Sequence, residues 1–136
     1  MILTNKAKYA TIAVIDMFEA GFKEPVSLSS IAHRQNISIA FLEQIFRALK
    51  KAEIVKSVRG STGGYVFNRE PQDIKISDVI LAVGENVKMT RCSTKEGCIP
   101  SGNKCQTHHI WKGLERNIHD YLSKISIANF KEQSFV

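Results

Sequence analysis

A chain of 136 residues and 15.2 kDa has room for one modest core, or a small domain with an appended helix, and excludes two large domains. A hydrophobic share of 43% beside 24% charged residues of both signs excludes wholesale disorder. The net charge of +6 and pI near 9.3 suit a polyanionic partner, and +4 of that charge falls in residues 1–70, where ten Lys or Arg face six Asp or Glu.

Thr4 is placed to cap a first helix whose apolar positions Ala7, Ala10, Ile12, Ala13, Val14 and Met17 run to Glu19, with Gly21 ending it. The run Ile12–Ile15 stops at Asp16, and nothing approaches the roughly 20 apolar residues of a membrane span, so a cytoplasmic protein is expected. After a break over Phe22–Val26 that contains Pro25, Ser27 caps a short helix carrying Leu28, Ile31 and Ala32, which ends near Asn36. Ser38 caps the next, where Leu42, Ile45, Phe46 and Leu49 form one apolar stripe.

The opposite face of that helix carries Ala40, Glu43, Gln44, Arg47 and Lys51, a mixture suited to base edges and phosphates together. A short helix, a tight turn and a second amphipathic helix make the helix-turn-helix pattern. Three helices alone equally make a small bundle with a solvated charged face. The next segment tips the balance: Ile54–Val58 and Tyr65–Phe67 are β-rich runs joined by Arg59-Gly60-Ser61-Thr62-Gly63-Gly64, a hairpin wing. Arg59 suits a narrow minor groove, and the glycines let backbone amides approach phosphates. The glycine run lacks the Gly-Lys-Ser/Thr ending of a nucleotide-binding loop, which excludes nucleotide hydrolysis.

Glu70-Pro71-Gln72-Asp73 breaks the pattern before Ser77, expected to cap a short helix through Val79, Ile80 and Val83 that Gly84 closes. The three cysteines come next in one stretch, Cys92-x5-Cys98-x6-Cys105-x2-His108. In a reducing compartment such an odd cluster points to metal or redox sensing rather than disulfides, and three thiolates with one imidazole complete a four-ligand set. The same set suits structural zinc, although no Cys-x2-Cys knuckle is present. His109 would point about 100° away from His108 around a helix. A cluster-carrying redox protein is a second alternative, for which the recognition helix and wing would be superfluous. With no Gly-x-Ser-x-Gly elbow, no His-Glu-x-x-His and no open metal position, an enzyme is not expected.

Thr107 is placed to cap a long helix striped by Ile110, Trp111, Leu114, Ile118, Tyr121, Leu122 and Ile125. So small a domain leaves much of that stripe uncovered, and a partner helix across a two-fold axis is the simplest cover. Ser126–Val136 adds a short terminal helix with a frayed end. The fold expected is mainly α with a small β-hairpin wing. Residues 1–84 form a winged helix-turn-helix DNA-binding domain, 85–106 a cysteine-bearing loop, and 107–136 a dimerisation helix and tail.

Leu3-Thr4-Asn5-Lys6-Ala7-Lys8-Tyr9-Ala10, Ile37 to Phe46, Ser57 to Tyr65, Thr90-Arg91-Cys92 and Cys105-Gln106-Thr107-His108 together resemble the IscR family of iron-sulfur cluster regulators. The resemblance covers nearly the whole chain. It implies a homodimeric winged-helix transcription factor, repressor and activator, with one 2Fe-2S cluster per subunit and control of cluster assembly genes. The ligands it implies are Cys92, Cys98, Cys105 and His108, and the DNA-contacting set it implies includes Tyr9, Glu43, Gln44, Arg59 and Gly60. Expected partners are double-stranded operator DNA, a second copy of the chain, RNA polymerase and a cluster-assembly scaffold, in the nucleoid. Six residues separate Cys98 from Cys105 where the family pattern has five, and Ala40 stands where serine is usual. A nitric-oxide-sensing branch uses an acidic residue at position 8 as ligand, which Lys8 cannot replace.

Overall fold

Helix α1 (Asn5–Ala20) buries Ala7, Ala10, Ala13, Val14 and Met17, and packs against three other helices. The computed structural model describes residues 4–85 and 104–132. Thr4 occupies the N-cap position as expected, but its side chain caps nothing, and its backbone N–H donates instead to Glu85 Oε2 at 3.1 Å. Gly21, at φ 142°, ends the helix in a conformation open to a residue without Cβ.

Helices α2 (Leu28–Gln35) and α3 (Ile39–Lys51) both start on the serine expected of them. Ser27 Oγ accepts from the Ser30 N–H at 3.2 Å, and Ser38 Oγ from the Phe41 N–H at 3.1 Å. Asn36 closes α2 in the left-handed region at φ 54°, a conformation asparagine tolerates better than most side chains. The turn between the helices is therefore only Asn36-Ile37-Ser38. Leu42, Ile45, Phe46 and Leu49 of α3 are fully buried, each contributing about 1.5–3 kcal/mol, which outweighs intrinsic helix propensity. A polar clamp adds to this packing: buried Asp16 accepts from Arg34 Nη2 at 2.6 Å and Gln35 Nε2 at 2.8 Å, tying α2 to α1.

Strands β1 (Val55–Val58) and β2 (Gly64–Phe67) form the expected antiparallel wing, in register from Val55 opposite Phe67 to Val58 opposite Gly64. A third segment joins it that the sequence does not announce. Val26 and Tyr65 exchange two backbone hydrogen bonds of 2.9 Å, so the stretch expected to be a simple break supplies a one-residue strand. Gly64, at φ 154°, permits this, because a Cβ there would run into the Val26 carbonyl.

A 3-10 turn (Pro71–Asp73) leads to α4 (Ile76–Ala82), which starts earlier than the Ser77 cap expected. Asp78 Oδ2 accepts from the Lys75 N–H at 3.0 Å, so the carboxylate secures the helix start and Ser77 is buried in the first turn. Helix α5 (His108–Lys124) is the long one. Beyond it the chain turns back: Ile76 donates to the Ile125 carbonyl at 2.9 Å, and Ile127 to that of Ile74 at 3.0 Å. Ile127 is fully buried and the expected short terminal helix follows as α6 (Asn129–Glu132), while the end expected to fray, residues 133–136, lies outside the described residues. Among the described residues the architecture is a mainly α, winged helix-turn-helix unit from which α5 extends.

Candidate functional site

Two sets of residues converge on distinct parts of this frame. On α3, Ala40, Glu43, Gln44, Arg47 and Lys51 are all exposed, because the buried stripe turns the opposite face outward. Arg59 and Gly60 lie exposed at the tip of the wing, Gly60 at φ 115°. Helix and wing are braced by Lys50, whose Nζ donates to Ser57 Oγ at 3.0 Å. Nothing in the sequence singles out Lys50, because such a link depends on the register of the hairpin beside the helix.

Tyr9 reaches this surface from α1. It is half-buried and packs edge-on against Phe41, with ring centroids 5.9 Å apart, and the Lys8 ammonium lies 5.9 Å from its ring centre. Phe46 and Tyr65 stack obliquely at 4.9 Å beneath the wing. These aromatic contacts fix α1, α3 and the hairpin relative to one another. Acidic, amide, cationic and aromatic groups thus share a rigid surface of the kind that reads a duplex groove while gripping its phosphates.

The second set is the candidate ligand group. Cys92 and Cys98 lie outside the described residues. Cys105 and His108 are described, and the His108 N–H donates to the Cys105 carbonyl at 3.1 Å, closing a turn at the head of α5. Cys105 is half-buried and His108 only 5% exposed, whereas His109 faces solvent with its ring edge-on to His108 at 5.3 Å. The helix rotation expected between the neighbouring histidines thus leaves His108 as the inward one.

Burial first, then the positive charges of Lys104, His109 and Lys112, hold the His108 pKa below its ordinary 6.5, with Glu115 opposing. The shift favours the neutral imidazole that ligation needs. Thr107 occupies the expected N-cap position of α5, but its side chain does not cap the helix. Its Oγ1 accepts from Trp111 Nε1 at 2.9 Å and lies 3.4 Å from Cys105 Sγ. The i, i+4 spacing of Thr107 and Trp111 is the one signal of this arrangement in the sequence. A thiol and an imidazole are compatible donors for iron or zinc, and among the described residues these are two of the four residues expected as ligands.

Comparison with known proteins gives these surfaces their context. The Rrf2 family model, described as an iron-dependent transcriptional regulator, matches residues 3–133. The HTH-type transcriptional regulator IscR of Sodalis glossinidius is 44% identical over 128 residues, covering 94% of this chain and 77% of that protein. A putative HTH-type transcriptional regulator of Azotobacter vinelandii is 43% identical across 100% of this chain and 82% of its own length. Among solved structures, T. potens IscR aligns with a TM-score of 0.78 at 33% identity, covering 98% of this chain and 88% of that one. CymR, the global cysteine regulator of B. subtilis, aligns with a TM-score of 0.81 at 25% identity, over 98% of both chains. The relatives are named transcriptional regulators rather than enzymes. Among the described residues, no helix is long and apolar enough to cross a membrane. The chain belongs to the Rrf2 family of winged-helix transcriptional regulators, and within it to the IscR type.

Proposed function

We propose that the chain binds operator DNA as a homodimer and reports iron-sulfur cluster status. One 2Fe-2S cluster per subunit would be held by Cys92, Cys98, Cys105 and His108, and cluster assembly genes would be the targets. The observation that carries this reading is the turn at the head of α5, where a buried imidazole follows a half-buried thiol. When bound, the cluster supplies a one-electron couple and a labile occupancy, since histidine is a weaker anchor than a fourth thiolate. Cys105 and His108 sit where the cysteine-bearing segment enters α5, so occupancy bears on the element that would join two subunits.

The proposed DNA contacts divide by chemistry. Glu43 accepts from a cytosine amino group and Gln44 pairs with adenine. Arg47 and Lys51 hold phosphates, Ala40 packs on a base edge or the backbone, Arg59 enters the minor groove, and Gly60 and Tyr9 meet the backbone beside it. Dimerisation through α5 is supported by its outer apolar residues: Ile110 is 62% exposed and Tyr121 56%, more than a free helix usually presents to water. In this reading residues 1–84 are the DNA reader, 85–106 the cluster segment and 107–136 the joining helix and tail. RNA polymerase and a cluster-assembly scaffold are the macromolecular partners, and the nucleoid is the site of action.

The visible spectrum of protein purified without air tests the cofactor. A red-brown sample with iron and sulfide near one cluster per subunit is expected. A colourless sample with stoichiometric zinc would establish instead the structural metal site that the same donors suit.

A further inference from the structure

A threonine at a helix N-cap ordinarily sits in an extended conformation and turns its hydroxyl onto the backbone of the first turn. Thr107 does neither. Its backbone lies at φ −96° and ψ 6°, no capping hydrogen bond is made, and the hydroxyl is committed to two side chains. The Trp111 indole, one turn on, donates to Oγ1 at 2.9 Å, and Cys105 Sγ lies 3.4 Å from the same oxygen.

The hydrogen count sets the direction of this chain. An indole nitrogen only donates, so it occupies a lone pair of Oγ1 and leaves the hydroxyl hydrogen available. While Cys105 is a thiol, either sulfur or oxygen can be the donor. Once it is a metal-bound thiolate the sulfur only accepts, and the order becomes Trp111 to Thr107 to Cys105. The indole then polarises the hydroxyl and strengthens the bond it gives to sulfur.

We infer that Thr107, backed by Trp111, is a positioning residue that donates a hydrogen bond to the Cys105 ligand sulfur and so raises the reduction potential of the bound cluster. The inference rests on the proposal that Cys105 is a cluster ligand. A hydrogen bond to a ligand sulfur draws off negative charge, and it stabilises the reduced level, which carries one more electron, over the oxidised one. It also orients the thiolate from within the turn that joins Cys105 to His108. Because Thr107 does not cap α5, replacing it removes the relay without removing a helix cap.

The test uses the full chain prepared without air as wild type, Thr107→Val, Thr107→Ser and Trp111→Phe. Each is titrated with dithionite in the presence of mediators and followed by visible absorbance. At a fixed poise the ratio of reduced to oxidised protein should fall about tenfold in Thr107→Val, which is about 59 mV for one electron. It should be near wild type in Thr107→Ser and fall by less in Trp111→Phe. The chain has one tryptophan, so its emission reports the indole bond without any cofactor. That emission should shift between wild type and Thr107→Val in cluster-free protein. Cluster-loaded Thr107→Val with the wild-type potential would overturn the relay while leaving the cluster proposal intact. Thr107→Ser behaving as Thr107→Val would also overturn it, by showing that the hydroxyl is not the active group. Wild-type protein that takes up no cluster at all would overturn both.

Discussion

His108 donates its backbone N–H to the Cys105 carbonyl at 3.1 Å, so the two described candidate ligands are the ends of one turn at the start of α5. Their spacing is set by that turn and not by the six-residue interval that precedes Cys105. The departure from the family pattern there consequently leaves this half of the site intact. His108→Ala should lose most of the visible absorbance of protein purified without air, while His109→Ala should keep it. The opposite pattern would mean that the solvent-facing ring is the ligand.

On the recognition helix, Glu43→Ala should change preference more than grip. A lost base contact costs about 1–3 kcal/mol at the position it reads and relaxes specificity there. Arg47→Ala and Lys51→Ala should instead weaken all sites similarly, each lowering the slope of log affinity against log salt by about one. Competition binding over a library of operator variants at two salt concentrations separates the two kinds of residue. A uniform loss in Glu43→Ala would remove it from the base-reading set.

The wing makes a sharper structural prediction. Gly64 pairs with Val58 and lies against the Val26 backbone, so Gly64→Ala sets a methyl against a carbonyl at an unfavourable φ. A loss of about 1–3 kcal/mol in stability is expected, together with a drop in DNA affinity as the hairpin shifts. Arg59→Ala should leave stability unchanged and weaken binding most at sites with narrow minor grooves. Denaturant unfolding and binding assays on both variants check the contrast.

Asp16 and Arg34 give the acid limb of stability. Burial alone would raise the Asp16 pKa, but hydrogen bonds from Arg34 and Gln35 and the Arg34 charge outweigh it, and the net shift is below 3.8. A depressed carboxylate contributes stability that is present above its unfolded pKa and is lost as pH falls through its folded one. Arg34→Met should therefore cost about 1–3 kcal/mol at neutral pH, by leaving a buried carboxylate short of its partner. The difference from wild type should shrink as pH drops below about 4. Thermal melts from pH 7 to pH 3 measure it, and a difference that grows on acidification would reverse the sign assigned here.

The helix starts at Ser27 and Ser38, the apolar stripe of α3 and the hairpin wing are legible in the sequence, because each arises from local chemistry and periodicity. The contributions of Val26 and Ile127 are not. Val26 joins the wing across nearly forty residues of chain, and Ile127 pairs beside Ile74 after the chain has run through α5 and back. No local signal encodes such partners. Ser77 misleads for a related reason: it has the look of a cap, but Asp78 reaches back to the Lys75 N–H and starts the helix earlier. At the candidate site, residue types and spacing point to a four-ligand set, whereas the burial of His108 and the Thr107 contacts emerge only from how α5 begins.

If the chain reports cluster status through its DNA binding, as proposed, occupancy changes which operators it prefers, and the most direct measurement is an anaerobic binding titration of cluster-loaded and cluster-free protein against the same panel of operators. Relative affinities across the panel should change between the two forms by about 1–3 kcal/mol of coupling, with some sites gaining on others. Identical relative affinities in both forms would contradict the claim, leaving a winged-helix regulator whose metal site only holds the fold together.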